Sequence, residues 1–299
     1  MAGTGKAHLR STSDVLLRVE DLVVEFPIDR HSVVHAVSGI SFDVVKGETL
    51  GLVGESGCGK STTAKAIIQI PRPTSGTVEF QGTELHSLND AELRDIRSQI
   101  QMIFQDPIAS LNPRRTVRRI VSEGLVVSNT TVSRPGWALL GLAVVLAVIT
   151  VFTSPLVLFV ALVAGLAGGF TILKGVFRPN IGDSSFERVD EIIKAVGLDP
   201  VEAAKRRPHE YSGGQCQRVS VARTLVLDPQ IVICDEPVSA LDVSVQAQIL
   251  NMLEDMKERY GLTLVFISHD LSVVRNVSDR LAVMYLGKMC EIGDGDLVY

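Results

Sequence analysis

The amino-acid sequence predicts an α/β fold. Short apolar segments with the character of buried strands alternate with helical segments along most of the chain. One such strand, residues 48–53, runs into a glycine-rich loop that leads directly into a helix at residues 61–70. Strands are also predicted before this loop, which suggests a small antiparallel layer. With 299 residues, the chain can bury a sizeable core in one large domain or two small ones.

The glycine-rich loop follows the pattern G-x-x-x-x-G-K-[ST], which is typical of phosphate binding. Its glycines allow backbone N–H groups to close around phosphates, and the following helix adds the positive end of its dipole. We expect Lys60 to contact the β- and γ-phosphates of a nucleotide and the Ser61 hydroxyl to hold Mg²⁺. The predicted nucleotide-binding residues of the loop are Gly54, Ser56, Gly57, Cys58, Gly59, Lys60, Ser61 and Thr62.

The other elements follow from hydrophobic periodicity and turn signals. Residues 1–14 are small and polar and predict a flexible tail, with no apolar segment of a signal peptide behind them. The expected elements, in chain order, are strands at 15–26 and 35–45 (one or two), the strand 48–53 and helix 61–70, strand 77–80, helix 89–98, strand 101–104, helices 116–127, 186–196 and 219–227, a strand from 231 that ends in two carboxylates, helix 246–260, strand 262–267 and a hairpin over 281–292.

Composition excludes several classes of protein. The formal net charge is -5, so no overall basic character indicates nucleic-acid binding. The four cysteines (Cys58, Cys216, Cys234 and Cys290) are far apart and form no C-x-x-C pair. This spacing predicts free thiols in a reducing compartment and disfavours a zinc or iron–sulfur site.

Polar residues stand at the ends of three predicted strands. Asp235 and Glu236 end a buried strand downstream of the phosphate loop, where Mg²⁺ and an attacking water would be handled. Gln105 ends the strand 101–104, and His269 follows the strand 262–267, where it could contact a γ-phosphate. Taken singly, a Gln before Asp-Pro is usually part of a turn, and a lone His is more often structural.

Two further positions have both a functional and a structural interpretation. Phe26, at the end of the first strand, could stack on an adenine ring or simply be a half-buried strand residue. The string at 212–215, Ser-Gly-Gly-Gln, precedes a predicted helix, which it can cap while its N–H groups face an anion.

Residues 135–173 contain no charged side chain. Pro155 divides them into two arms of about 16 to 18 residues, and each arm would form a helix of about 25 Å, just enough to cross a bilayer with slight thinning. Arg134 on one side and Lys174 on the other favour a membrane hairpin with both ends cytoplasmic. A hairpin buried in a soluble core, or one lying in the membrane interface, remains an alternative, although neither arm has the polar stripe of a packed soluble helix.

Taken together, these motifs resemble the ATP-binding subunits of ABC transporters over the whole chain except the tail and the apolar insert. The matching motifs are Walker A at 54–62, the Q-loop at Gln105, the signature at 211–215, Walker B at 231–236, the D-loop at 239–242 and the H-loop at His269. Residues 104–113, 235–246 and 285–293 resemble most the oligopeptide/dipeptide importer branch, which includes nickel importers. Cys216 departs from the pattern, which usually has Arg or another polar residue there.

The resemblance implies that two subunits dimerise head to tail and enclose two ATP molecules. Each ATP would be bound by the phosphate loop of one subunit and by the signature residues of the other, which are Ser212, Gly213, Gly214 and Gln215 here. Asp242 would link the two sites, and Phe26 would stack on adenine.

The resemblance also implies the hydrolytic roles. Glu236 would act as the general base or orient the water, and Asp235 would hold Mg²⁺ through water, together with Ser61. Gln105 would couple Mg²⁺ and the attacking water to the helical subdomain, and His269 would steady the γ-phosphate. Such a site stabilises developing charge and needs little covalent chemistry.

The implied architecture is a P-loop NTPase (RecA-like) core with an antiparallel β-subdomain, formed by residues 15–106 and 225–299. A helical subdomain, residues 107–224, would carry the apolar insert at 135–177. The expected partners are transmembrane permease subunits, a second ATP-binding subunit (identical or different) and, indirectly, a solute-binding protein, with no nucleic acid.

The expected function is that of an ATPase at the cytoplasmic face of the cell membrane that energises an oligopeptide/dipeptide importer. Its own residues 137–173 could serve as an additional membrane anchor. An importer for nickel or another small solute is the alternative. A soluble ABC ATPase of repair or translation is disfavoured because no coiled coil, zinc module or basic surface is visible. A non-enzymatic nucleotide sensor is disfavoured because every motif residue is present.

Overall fold

The structure, a computed structural model, describes residues 9–10, 13–29, 32–129, 183–295 and 298. The strands are β1 (Val15–Pro27), β2 (Val33–Val45), β3 (Thr49–Gly54), β4 (Ser75–Phe80), β5 (Thr83–Glu84), β6 (Ile100–Ile103), β7 (Ile231–Asp235), β8 (Thr263–Ser268), β9 (Arg280–Tyr285) and β10 (Lys288–Asp294). The helices are α1 (Lys60–Ile67), α2 (Asp90–Gln99), α3 (Pro107–Ser110), α4 (Val117–Asn129), α5 (Asp183–Ala195), α6 (Pro200–Ala203), α7 (Gly213–Leu225), α8 (Val243–Tyr260) and α9 (Leu271–Val277).

The central sheet has six strands in the order β10-β9-β3-β8-β7-β6. All neighbours pair in parallel except the terminal hairpin of β9 and β10. Val53 lies opposite Ser268, and Asp235 lies opposite Ile267, so the carboxyl ends of β3, β7 and β8 meet at one edge. This edge, which we call the catalytic edge, is where a parallel α/β sheet places its ligands.

The second sheet is antiparallel, with the order β2-β1-β4-β5. It confirms the predicted antiparallel layer before the phosphate loop, and residues 33–45 form one strand rather than two. Both of its long strands bury one face against the central sheet. The strand β2 also contacts the phosphate loop through the carbonyl of Ala36, as described below.

The central sheet separates two cores. Because β7 is buried along its whole length, its alternate side chains enter different cores. Val232 and Cys234 pack with the helices α4, α5 and α7, whereas Ile231 and Ile233 pack with the antiparallel sheet. The sequence of β7 is almost continuously apolar because both of its faces pack into a hydrophobic core.

The helix α7 begins earlier than the sequence predicts. We expected a helix from residue 219, but α7 starts at Gly213. Ser212 caps it: its hydroxyl accepts a hydrogen bond from the N–H of Gln215, and the Gln215 side chain accepts one from the N–H of Ser212. This reciprocal capping box offsets the low helix propensity of the two glycines that follow.

Part of the predicted flexible tail is attached to the fold. The Arg10 guanidinium contacts Asp43 at 2.7 Å and Glu48 at 2.6 Å. Arg280, at the start of β9, contacts the same two carboxylates at 3.0 and 3.2 Å. Since Asp43 is fully buried, both cations are needed to balance the two acids.

The apolar insert at 135–177 lies outside the described residues. Among the helices that the structure does describe, none combines the length and the apolar character needed to cross a bilayer.

Candidate active site

The phosphate loop is closed from two sides by backbone carbonyls. A Cβ atom at Gly54 would lie 2.2 Å from the carbonyl oxygen of Met284, and one at Gly59 would lie 2.3 Å from that of Ala36. Gly59 also has a φ of 107°, a conformation that favours glycine. Glycine is therefore required at both positions, because backbone carbonyls of β9 and β2 leave no space for a side chain. The loop pattern could not reveal Ala36 and Met284, because both act through backbone atoms.

Lys60 is buried and turned into the loop. Its Nζ donates hydrogen bonds to the carbonyl oxygens of Gly54 at 2.7 Å and of Glu55 at 2.8 Å. Because Lys60 is also the first residue of α1, its charge and the positive end of the helix lie at the same place. The loop thus concentrates positive potential at its concave side.

Ser61 and Asp235 are joined across the catalytic edge. The Ser61 hydroxyl donates to Oδ1 of Asp235 at 2.8 Å. Burial raises the pKa of the Asp235 carboxyl, and the hydrogen bond from Ser61 opposes this rise. No cationic side chain within the described segments forms an ion pair with Asp235. A hydroxyl and a buried carboxylate form a donor set that fits Mg²⁺, a cation that prefers oxygen ligands and completes its shell with water and phosphate.

Glu236 lies between the two other predicted catalytic residues. Its Oε2 accepts a hydrogen bond from Nε2 of Gln105 at 2.8 Å, and its Oε1 lies 3.2 Å from Nδ1 of His269. Its backbone N–H donates to the carbonyl of Ile267, which joins β8 to the end of β7. Glu236 has a φ of 48°, an uncommon conformation for a non-glycine residue. The two side chains that follow β6 and β8 therefore converge on the carboxylate that follows β7.

These residues face a cleft of about 640 Å³. Ser56 of the phosphate loop lies on one side of the cleft, and Gly213 of the signature lies on another. The residues that line it are Ser56, Gln105, Asp106, Pro107, Ile108, Gly213, Glu236, Ser239, Ala240, Leu241 and His269. The cleft is open to solvent at the edge where strands end.

The signature lies beside the D-loop of the same chain. A Cβ atom at Gly213 would lie 3.5 Å from Leu241, and one at Gly214 would lie 2.6 Å from Val245. The second glycine therefore permits the close packing of α7 on α8. Asp242 begins α8, but its side chain makes no capping hydrogen bond and is exposed.

Phe26, Thr62 and Cys58 are three further residues that the sequence predicts to bind the nucleotide. Phe26 pairs with Val34 beside the turn of the β1–β2 hairpin and is 40% exposed. Thr62 is half-buried on α1. Cys58 is buried within the loop, and its Sγ lies 3.9 Å from Nζ of Lys60.

Comparison with known proteins places this site in a family. The family model described as ABC transporter matches residues 37–239. The oligopeptide transport ATP-binding protein AppF of Bacillus subtilis is 41% identical over 289 residues, covering 94% of this chain and 73% of the relative. The oligopeptide transport ATP-binding protein OppF of Escherichia coli is 42% identical over 293 residues, with coverages of 95% and 73%.

Solved structures agree with this placement at the level of the fold. The dimeric structure of MJ0796, a bacterial ABC transporter cassette, has a TM-score of 0.70 at 24% identity, covering 93% of this chain and 98% of that chain. CbiO1 of Clostridium perfringens has a TM-score of 0.67 at 25% identity, with coverages of 95% and 90%. The family match and the two relatives above 40% identity lead to one conclusion: this chain belongs to the ABC transporter family, as one of its ATP-binding, ATP-hydrolysing proteins.

Proposed function

We propose that this protein hydrolyses ATP to drive the import of oligopeptides through a transmembrane permease. The observation that carries the proposal is the convergence of Gln105 and His269 on the Glu236 carboxylate at the catalytic edge. A carboxylate held between two hydrogen-bonding side chains, in a cleft that also contains the phosphate loop, is suited to orient a water molecule for in-line attack.

The other site residues bind different parts of the nucleotide and its metal ion. Lys60 leaves the carbonyls of Gly54 and Glu55 and binds the β- and γ-phosphates, together with the loop N–H groups. Ser61 and Asp235 hold Mg²⁺, which supplies charge neutralisation at the phosphates when it is bound. His269 contacts the γ-phosphate, and Phe26 stacks on adenine. Glu236 is the general base.

A second ATP-binding subunit completes each site. In this proposal Ser212, Gly214 and the α7 N-terminus contact the ATP of the partner subunit, and Asp242 connects the two sites. The exposure of Asp242 and its unused capping position support this role, since both leave its carboxylate available. The dimeric form of a structure with the same fold is consistent with this assembly.

The solute is proposed from the relatives. AppF and OppF are both named for oligopeptide transport, and a relative from Pectobacterium atrosepticum with 41% identity is named for glutathione import. Because all three names refer to peptides, we favour a peptide over nickel or another small solute. A solute-binding protein would deliver the peptide to the permease.

The apolar insert is proposed to be a membrane hairpin. Gly124 of α4 lies against Leu227, and Arg188 of α5 lies 3.4 Å from Asp228. The helices on either side of the insert therefore both contact the turn that follows α7. Since α7 has 13 residues, this turn is about 20 Å from Ser212 at its other end.

The substitution Glu236→Gln tests the catalytic proposal. We expect it to keep ATP binding and to reduce hydrolysis at least about hundredfold, because general-base catalysis typically contributes that much or more. Glu254→Gln, an exposed position on α8, is the matched control and should hydrolyse ATP at the wild-type rate. Phosphate release measured under single-turnover conditions is the readout, and unchanged turnover in Glu236→Gln would exclude its role as the base.

A further inference from the structure

Arg223, in the last turn of α7, reaches across to the end of α3. Its Nη1 donates a hydrogen bond to the carbonyl oxygen of Ser110 at 2.7 Å, and its Nη2 lies 3.5 Å from the Ser110 hydroxyl. The two helices pack against each other, and Ser110 is the last residue of α3. This contact therefore connects the helix that begins at the signature to the segment that follows Gln105.

The residues between Gln105 and Ser110 form one compact turn. The Ser110 hydroxyl donates a hydrogen bond to the carbonyl of Pro107 at 2.8 Å, and the Ser110 N–H donates one to the carbonyl of Asp106 at 3.3 Å. We call residues 105–110 the glutamine segment. Because the segment is short and bonded to itself, a displacement of its last residue also displaces its first.

Packing contributes little to the position of Gln105. Phe104, Gln105 and Asp106 are all exposed, since they lie beyond the end of β6. The Gln105 side chain nevertheless reaches Oε2 of Glu236 at 2.8 Å. What holds the glutamine segment in place at its other end is the bond from Arg223 to Ser110.

The charge of Arg223 is costly where it lies. Its side chain is partly buried, and burial lowers the pKa of the guanidinium, an effect that the negative charge of Glu123 opposes. Glu123 itself pairs with Arg115, and no carboxylate of the described residues forms an ion pair with Arg223. An apolar side chain of similar length would be buried there at lower cost. The guanidinium is therefore better explained by the segment that it holds than by stability.

We propose that Arg223 is a positioning residue for ATP hydrolysis. By holding the carbonyl of Ser110 it sets the position of Gln105, and through Gln105 that of the Glu236 carboxylate. A misplacement of about 1 Å at a reacting group can cost on the order of a hundredfold in rate, so one distant hydrogen bond can matter. The inference rests on the proposed function, which makes Glu236 the general base.

This role affects turnover rather than nucleotide binding. Neither Arg223 nor Ser110 is among the described residues that line the catalytic cleft. The phosphate loop is held instead by β2 and β9, which the glutamine segment does not join. We therefore expect the loss of the Arg223 contact to lower kcat and to leave KM for ATP unchanged.

Two variants and a matched control separate positioning from stability. Arg223→Met keeps the length of the side chain and removes every donor, whereas Arg223→Lys keeps the charge and one donor that can reach a carbonyl. Arg218→Met is the control. Arg218 is also partly buried on α7, and its Nη1 donates to the carbonyl of Val196 at 2.8 Å, after the end of α5 and outside the glutamine segment.

Steady-state ATP hydrolysis by the purified full-length protein gives kcat and KM. We expect Arg223→Met to lower kcat about tenfold with KM within about twofold of wild type, and Arg223→Lys to recover most of that loss. Arg218→Met should stay within about twofold of wild type in both constants. A wild-type kcat in Arg223→Met, or an equal loss in Arg218→Met, overturns the proposal.

A double-mutant cycle with Gln105→Ala tests the route. If Arg223 acts through Gln105, then Arg223→Met should cause no further loss of kcat once the Gln105 side chain is absent. A second full tenfold loss in that background overturns the proposal, because Arg223 would then act by another path.

Thermal melting verifies that each variant is folded. Should Arg223→Met prove unfolded, Arg223→Lys is compared in both backgrounds. A loss that is present with Gln105 and absent without it is then the expected result, and an equal loss in both backgrounds overturns the proposal. Absence of ATP hydrolysis by the wild type would instead contradict the proposed function.

Discussion

Individual residues of the site are held by backbone atoms that belong to distant strands. The carbonyl of Ala36 lies against Gly59, and that of Met284 lies against Gly54. The N–H of Glu236 donates a hydrogen bond to the carbonyl of Ile267. The side chains that matter for ATP are thus positioned by contacts with almost no side-chain specificity. A side chain at either glycine would therefore clash with these carbonyls and displace the loop, in addition to restricting its conformational freedom.

The substitution Gly59→Ala should abolish ATP binding. Its φ of 107° strains an alanine, and the new Cβ would also meet the Ala36 carbonyl at 2.3 Å, so the loop or β2 must move. Gly261→Ala is the control: Gly261 has a φ of 63° but open space around its Cβ position. It should cost about 1 kcal/mol of stability and leave ATP affinity unchanged. Equilibrium binding of a fluorescent ATP analogue is the measurement, and comparable affinities in the two variants would contradict the steric explanation.

At the level of elements, the ends of three strands are joined by buried charges. Asp43 near the end of β2 and Glu48 just before β3 are held by Arg280 of β9 and by Arg10. The antiparallel sheet and the central sheet are connected at this point. Although burial alone raises the pKa of the Asp43 carboxyl, the hydrogen bonds from Arg10 and Arg280 outweigh it and bring this pKa below its ordinary value.

Asp43→Asn should destabilise the protein by about 3 kcal/mol at pH 7, since it removes one partner of a buried ion-pair cluster. A carboxylate with a lowered folded-state pKa contributes its full stability above its unfolded pKa of about 3.9 and loses it as pH falls through the folded value. The difference between wild type and Asp43→Asn should therefore shrink below about pH 4. Urea unfolding from pH 7 to pH 3 measures this.

Asp255→Asn, at an exposed position of α8, provides the control for that experiment. It should change stability by less than about 0.5 kcal/mol at every pH. A difference for Asp43→Asn that stays constant down to pH 3 would show that packing, not charge, explains its effect.

At the level of the whole molecule, the two ends of α7 contact different parts of the protein. The N-terminus of α7 meets the catalytic cleft through Gly213, and its C-terminal end lies beside Gly124 of α4 and Arg188 of α5, the two helices that flank the insert. The two ends of α7 are therefore about 20 Å apart.

Deletion of residues 137–173 should leave ATP binding and the melting temperature close to wild type. It should reduce the fraction of the subunit that sediments with membranes when no permease is present, because the apolar residues that would enter the bilayer are removed. Membrane fractionation followed by immunoblotting is the measurement, with Glu236→Gln as a control that should remain membrane-bound. If the undeleted subunit is fully soluble without detergent, the membrane-hairpin proposal fails.

The sequence by itself determined the family, the alternation of strands and helices and the identity of the motif residues, because fixed residue types at fixed spacings carry that chemistry. It also predicted the antiparallel layer and placed the ends of most predicted elements within about three residues, but it did not predict the short helices α3, α6 and α9. It misplaced the start of α7, since glycine propensity hid a helix that the capping box of Ser212 and Gln215 stabilises. Only the tertiary structure decided which atoms meet: the carbonyls of Ala36 and Met284 on the loop, the placement of Gln105 and His269 on Glu236, and the attachment of Arg10 to Asp43. These contacts join residues far apart in the chain, and the order of strands in the sheet, which local sequence does not encode, brings them together.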